Sequence, residues 1–255
     1  MKELLYGVAY YDEYMPYDRL DEDIKMLKKA NINVVRIAES TWSTHEPQNG
    51  VFHFTSVKRV LDAMYDAEIK VIIGTPTYAV PTWMVKEHPD VLAVTSKGRG
   101  KYGARQIMDI TNPTYLFYAE RIIRKLLEVS HKHPAVIGYQ TDNETKHYDT
   151  SGPNVQHQFI KYLKERFTLE ELNEKFGLAY WSNRINSWED FPSTVGTING
   201  SLGSEFAKFQ RQLVTKFLEW QVSIVNEFKQ PGQFVTQNFD FEWRGYSFEI
   251  GRAHV

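Results

Sequence analysis

The sequence predicts an α/β protein: a (β/α)8 TIM barrel, incomplete here, with about the first five βα units present. Three observations carry that expectation. Short β-branched runs alternate with amphipathic stretches, the order that parallel strands joined by crossover helices produce. The strands end in polar or aromatic residues and long segments follow them, which is how a barrel displays chemistry at its C-terminal rim. No glycine-rich turn follows the first strand, which disfavours a doubly wound dinucleotide-binding sheet.

Leu4 to Tyr11 is expected as the first strand, and Tyr17 to Ala30 as a helix, because Leu20, Ile24 and Leu27 recur at helical spacing. INVVRIA, Ile32 to Ala38, is rich in β-branched residues and reads as the second strand. A loop through Pro47 and Gly50 leads to a helix from Ser56, with Val57, Val60, Leu61 and Met64 on one face. IKVIIGT, Ile69 to Thr75, is the third strand. Pro76 to Pro113 holds several prolines and the SKGRGKYG run, and is expected as an elaborate loop. Tyr115 to His131 then reads as a helix with Leu116, Ala119, Ile123 and Leu126 in phase, and Ala135 to Thr141 as the fourth strand. Two helices are expected at Val155 to Arg166 and Leu169 to Phe176, followed by an irregular stretch from Ala179 to Gly200. A long helix places Phe206, Phe209, Leu213, Phe217, Trp220 and Ile224 in phase, and QFVTQNF, Gln233 to Phe239, is the fifth strand.

Composition narrows the function. A net charge of −2 lacks the basic excess of a nucleic-acid or membrane-surface binder. No apolar run reaches the ~18 residues of a membrane span, and the N-terminus lacks a signal-peptide pattern, so a cytoplasmic location is expected. With no cysteine there is no disulfide and no thiolate site; the eight histidines show no HExxH spacing. No metal and no cofactor are expected. P-loop, GxSxG and CxxC patterns are absent. The 15 Tyr, 15 Phe and 6 Trp suit either sugar stacking or a large core.

The strand ends supply the candidates for chemistry. VIGYQTDNE ends in Asp142, Asn143 and Glu144, where a rigid strand would hold a proton donor beside a scissile bond, or where Asn and Glu would merely cap the next helix. Arg36 and Glu39 bracket the end of the second strand, and an arginine within an apolar strand needs a compensating partner. The pair either holds a catalytic carboxylate in place or is purely structural. Arg105 in the long third loop either binds substrate hydroxyls or is solvated. Glu46 is expected to belong to its loop and turn. Trp42, Trp83 and Trp181 are expected in loops, whereas Trp220 is in phase with a core stripe.

Together YGVAYYDEYMP, NVVRIAESTWSTHEPQNGVFHF, GTPTYAVPTWMVKEHPDVL, GARQIMDITNPTY and VIGYQTDNE resemble the glycoside hydrolase family 42 β-galactosidases, in the family's order and spacing. The resemblance implies a (β/α)8 barrel hydrolysing terminal β-D-galactosides or oligosaccharides with retention, and a homotrimer for the full-length protein. It implies Glu144 as acid/base, Asn143 as partner of the galactose 2-hydroxyl, and Arg105 at the galactose subsite. It implies a glutamate nucleophile at the seventh strand end, which is expected to be missing here; Glu242 follows the fifth strand too closely to be assigned that role. The fragment itself is therefore expected to be inactive. Many members carry a four-cysteine zinc site, and the matching stretches here, RQIMD with Asp109 and TKHYDTSGPNVQH, have no cysteine. Residues 1–248 are expected to form the partial catalytic barrel domain. EIGRAHV, residues 249–255, matches one reading frame of a sequencing adaptor and is expected to be a non-native tail. Two other readings stand beside this one: a related barrel glycosidase acting on an arabinoside or glucan, and a non-catalytic carbohydrate-binding protein.

Overall fold

The computed structural model describes residues 4–15, 17–103, 108–195 and 199–239. Its centre is a parallel sheet of five strands: β1 (Gly7–Ala9), β2 (Val34–Ile37), β3 (Lys70–Gly74), β4 (Val136–Gln140) and β5 (Phe234–Thr236). They lie side by side in chain order, each parallel to the next. A doubly wound sheet would reverse its strand order at a switch point; this one does not, and its succession is that of a barrel wall.

Helices fill every connection. Helix α1 (Leu20–Lys29) joins β1 to β2, α2 (Thr55–Asp66) joins β2 to β3, and α3 (Pro113–Ser130) joins β3 to β4. Between β4 and β5 run α4 (Pro153–Lys164), α5 (Leu169–Lys175) and the long α6 (Gly200–Phe228). Val35, Ile37, Val71 and Ile73 alternate along their strands toward the helices. There they meet Val60, Leu61 and Met64 of α2, Ile123, Leu126 and Leu127 of α3, and Ile224 and Val225 of α6. Period-two strands and period-3.6 helices thus bury one face each. The opposite sheet face is left for Arg36 and Gln140, which the register places on lines running through Ile72 and Gly74 of β3. At Gly138 an added Cβ would sit 2.7 Å from the ring of Phe234, so only glycine lets β5 close over β4 with that ring. No helix among the described residues is long and apolar enough to cross a membrane.

Start signals are local. Asn112 caps α3 by accepting from the N–H groups of Thr114 and Tyr115, with Pro113 in the first turn. Thr168 and Glu171 form a reciprocal capping box on α5.

Two expectations need correction. Pro76 to Pro113 is not one loop: it contains the helix Thr82–Glu87 and a small hairpin of Val94–Thr95 with Gly98–Arg99. Pro76 and Pro89 sit at the first positions of short helical turns and Pro113 at that of α3, where the missing N–H costs nothing, and Pro81 stands just before Thr82–Glu87. Trp42 and Trp83 do not sit in loops. Trp42 opens the helical turn Trp42–His45 and is fully buried, and Trp83 packs within Thr82–Glu87. Glu46 does lie in its loop and is tied to the turn there; what the sequence did not convey is its burial. It is wholly buried, accepting from Trp42 Nε1 at 3.0 Å and from the Gly50 N–H at 2.8 Å, and paired with Arg121 of α3. Trp181 does lie in an irregular stretch and is exposed; Trp220 is partly buried against the core, as its phase implies.

Candidate active site

The polar groups converge at the C-terminal ends of β2, β3 and β4. Arg36 points from β2 across the sheet: Nη1 donates to Gln140 Oε1 at 2.9 Å, and Nη2 donates to Glu39 Oε1 at 2.7 Å and to Tyr11 Oη at 3.1 Å. Gln140 passes the chain onward, its Nε2 donating to the Asp142 carbonyl at 2.8 Å and more weakly to Asn143 Oδ1 at 3.4 Å. Asn143 Oδ1 also accepts from Asn238 Nδ2 beyond β5, at 2.9 Å. One hydrogen-bonded line therefore crosses from the segment after β1 to the segment after β5.

Two shielded atoms in this line have no hydrogen-bond partner among the described residues, Arg36 Nε and Glu39 Oε2. Buried polar atoms are rarely left so, and those that are point to water, an ion or a ligand. Glu39 comes close to β3 because residue 74 is glycine; a Cβ there would lie 2.5 Å from Glu39 Cβ. Ala38, just before it, is held at φ 79°, outside the region L-residues favour. Burial, followed by the Glu39 carboxylate, pushes the Tyr11 phenol up to about 12, so it stays a neutral donor and acceptor.

The turn after β4 is locked from beneath. Asp142 is wholly enclosed and its carboxylate accepts from Thr77 Oγ1 at 2.6 Å and Thr145 Oγ1 at 2.5 Å. Burial pushes this carboxyl up to about 6, with the two hydroxyls acting in the opposite sense. Its own N–H donates to Thr75 Oγ1 at 2.6 Å. Thr75 Oγ1 in turn donates to Gln221 Oε1 of α6, and Gln221 Nε2 donates to Thr77 Oγ1. Asp142 and Glu144 both have positive φ, 50° and 47°. The Glu144 N–H donates to the Asn238 carbonyl at 2.9 Å, and its side chain is half-buried.

Of the residues singled out in the sequence, Arg36, Glu39, Asn143 and Glu144 come together on this rim. Arg36 and Glu39 pair directly, and the link to Asn143 runs through Gln140. Arg105, Glu242 and residues 249–255 lie outside the described residues. Sequence reasoning missed Gln140, Thr77 and Gln221. Gln221 alone left a signal, a polar residue on the buried side of α6 between Phe217 and Ile224.

The residues at the family's zinc position do not fit that metal. Asp109 spends one carboxylate oxygen on the Thr111 N–H and hydroxyl, at 2.9 and 2.6 Å, and the other on Asn154 Nδ2 at 3.3 Å. Thiolates, which soft structural zinc sites favour, are missing from the chain. Among the described residues no group of three His, Cys, Asp or Glu could hold a metal ion.

A barrel wall with its carboxylates, carboxamides and guanidinium gathered at the C-terminal strand ends is the arrangement of the (β/α)8 class. The chain belongs to glycoside hydrolase family 42, described as Beta-galactosidase, whose family profile matches residues 9–252. A beta-galactosidase of Thermus thermophilus is 35% identical over 241 residues, covering 91% of this chain and 37% of that protein. The beta-galactosidase bgaB of Geobacillus kaustophilus is 31% identical and covers the whole chain and 39% of its own length. In three dimensions the chain is similar to the beta-galactosidase of the psychrophilic Marinomonas ef1, with a TM-score of 0.84 and 32% identity over 91% of this chain and 37% of that one. The chain thus spans under two fifths of the length of these relatives.

Proposed function

We propose that the chain carries the acid/base half of a retaining β-galactosidase, with Glu144 as proton donor to the leaving oxygen of a terminal β-galactoside. Asn143 hydrogen-bonds the galactose 2-hydroxyl, Arg105 contributes to the same subsite, and Arg36 and Glu39 support the pocket floor. The nucleophile that forms the covalent glycosyl-enzyme comes from the part of the relatives' length that this chain does not span, and a homotrimer is the assembly proposed for a protein of that length. The observation that carries the reading is the hydrogen-bonded line that joins Glu39 and Arg36 through Gln140 to Asn143 at the strand ends, one residue before Glu144.

Purified 255-residue chain is expected to release no nitrophenol from a nitrophenyl β-galactoside above the rate of its Glu144→Gln variant. A version continued to the relatives' length should turn over, and on an alkyl β-galactoside, whose poor leaving group needs the proton, Glu144→Gln in it should cost roughly 10²–10⁴-fold in kcat/KM, the usual contribution of general acid–base catalysis. Turnover by the 255-residue chain that Glu144→Gln abolishes would overturn the missing nucleophile. An unchanged rate in the long Glu144→Gln variant would overturn the proton donor.

A further inference from the structure

We infer that Asp142 is a positioning residue: through a closed ring of buried hydrogen bonds it sets the backbone turn that aims Asn143 and Glu144. The ring runs from Asp142 N–H to Thr75 Oγ1, from Thr75 O–H to Gln221 Oε1, from Gln221 Nε2 to Thr77 Oγ1, and from Thr77 O–H back to Asp142 Oδ1. Each hydroxyl in it donates once and accepts once, so the direction of every bond is determined and no member is interchangeable with an apolar neighbour. A spur leaves the ring through Thr145, whose O–H donates to Asp142 Oδ2 while its Oγ1 accepts from Gln237 Nε2.

What the ring holds is costly to hold. Two of three successive residues, Asp142 and Glu144, have positive φ, a conformation that costs of order 1–3 kcal/mol per residue when the residue is not glycine. Such backbone persists only where its surroundings over-determine it, and the ring supplies that constraint from β3 on one side and α6 on the other. The strained turn points Asp142 inward and leaves Glu144 half-buried, two positions apart in sequence. Asp142 therefore acts on chemistry through Glu144 and touches no substrate. Its importance to catalysis rests on Glu144 being the proton donor; the positioning itself does not.

Amide hydrogen exchange on the 255-residue chain tests this. In Asp142→Ala the Glu144 N–H, bonded to Asn238, should exchange about 100-fold faster than in the unsubstituted chain, with exchange at Ile73 in β3 far less altered. Asp142→Asn, which keeps one acceptor for Thr77, should recover part of that protection. Equal acceleration at both amides would make Asp142 a general stabiliser and overturn the proposal, as would unaltered exchange at Glu144. Should Asp142→Ala fail to fold, Thr77→Val breaks the same ring at its donor and must give the same selective loss. D-galactose titration alongside separates the two readings. If a version continued to the relatives' length binds no galactose, the galactoside pocket fails while the exchange result still decides the role of Asp142.

Discussion

Asp142 illustrates how far one residue's surroundings decide its chemistry. Its folded carboxyl is raised by burial from 3.8 to about 6, so the folded state binds the proton more tightly than the unfolded chain does. The sign follows: the stabilising contribution is fully present below pH 3.8 and is lost as pH rises through about 6. It amounts to about 3 kcal/mol. Urea unfolding of the chain and of Asp142→Asn between pH 4 and 7 should show curves that diverge, the unsubstituted chain losing stability relative to the variant as pH rises. Parallel curves would mean the carboxyl titrates normally. The sequence put Asp142, Asn143 and Glu144 at a strand end, and the structure places them there. What adjacency in sequence cannot convey is direction. Two positive-φ residues in three rotate successive side chains independently, so the acid that reads like its neighbour is a buried anchor.

At the scale of elements, the buried Glu46 ties the segment after β2 to helix α3. Arg121 reaches it from α3 through a cage in which its guanidinium lies 4.6 Å from the Tyr118 ring centroid and 5.5 Å from that of Phe52. Trp83 Nε1 fastens the same place by donating to the Glu46 carbonyl at 2.9 Å. Glu46→Ala leaves the guanidinium only Asn49 Oδ1 and strips two N–H donors of their acceptor, and should destabilise by about 2–4 kcal/mol in denaturant unfolding. Glu46→Gln combined with Arg121→Met should cost less, because no buried charge is left alone. Gly74→Ala should cost roughly 1–3 kcal/mol by overpacking against Glu39, a Tm decrease of about 2–12 °C. Helix phases were legible because burial enforces them: Val57, Val60, Leu61 and Met64 are all enclosed, as their spacing implies. The segment between β3 and α3 was not, because proline marks helix starts as readily as loops. Glu46 was not because its partner lies 75 residues away.

Over the whole molecule, the five strands leave two sheet edges. Among the described residues β1 pairs only with β2 and β5 only with β4. All three residues of β1 are exposed, with Val8 and Tyr6 showing apolar surface next to unpaired backbone. Edges of this kind recruit further strands. The 255-residue chain is expected to self-associate with rising concentration in sedimentation velocity, and Val8→Lys should shift it toward monomer. A concentration-independent monomer would show that the edge is protected. The barrel succession was readable from strand and helix alternation alone, since chain order and spatial order coincide here. The closure of the polar network was not, because its members come from strand ends scattered between Tyr11 and Asn238.

The ring beneath the turn also imposes an order in time. A ribosome that has released residue 150 has already made β4 and the glutamate it carries, yet Gln221 is still some seventy residues from being added. At synthesis rates of about 5–20 residues per second, the turn waits several seconds, unfastened, for a glutamine from another helix. The site is thus written early in the chain and set late, and a nascent protein halted before α6 holds its glutamate without yet aiming it.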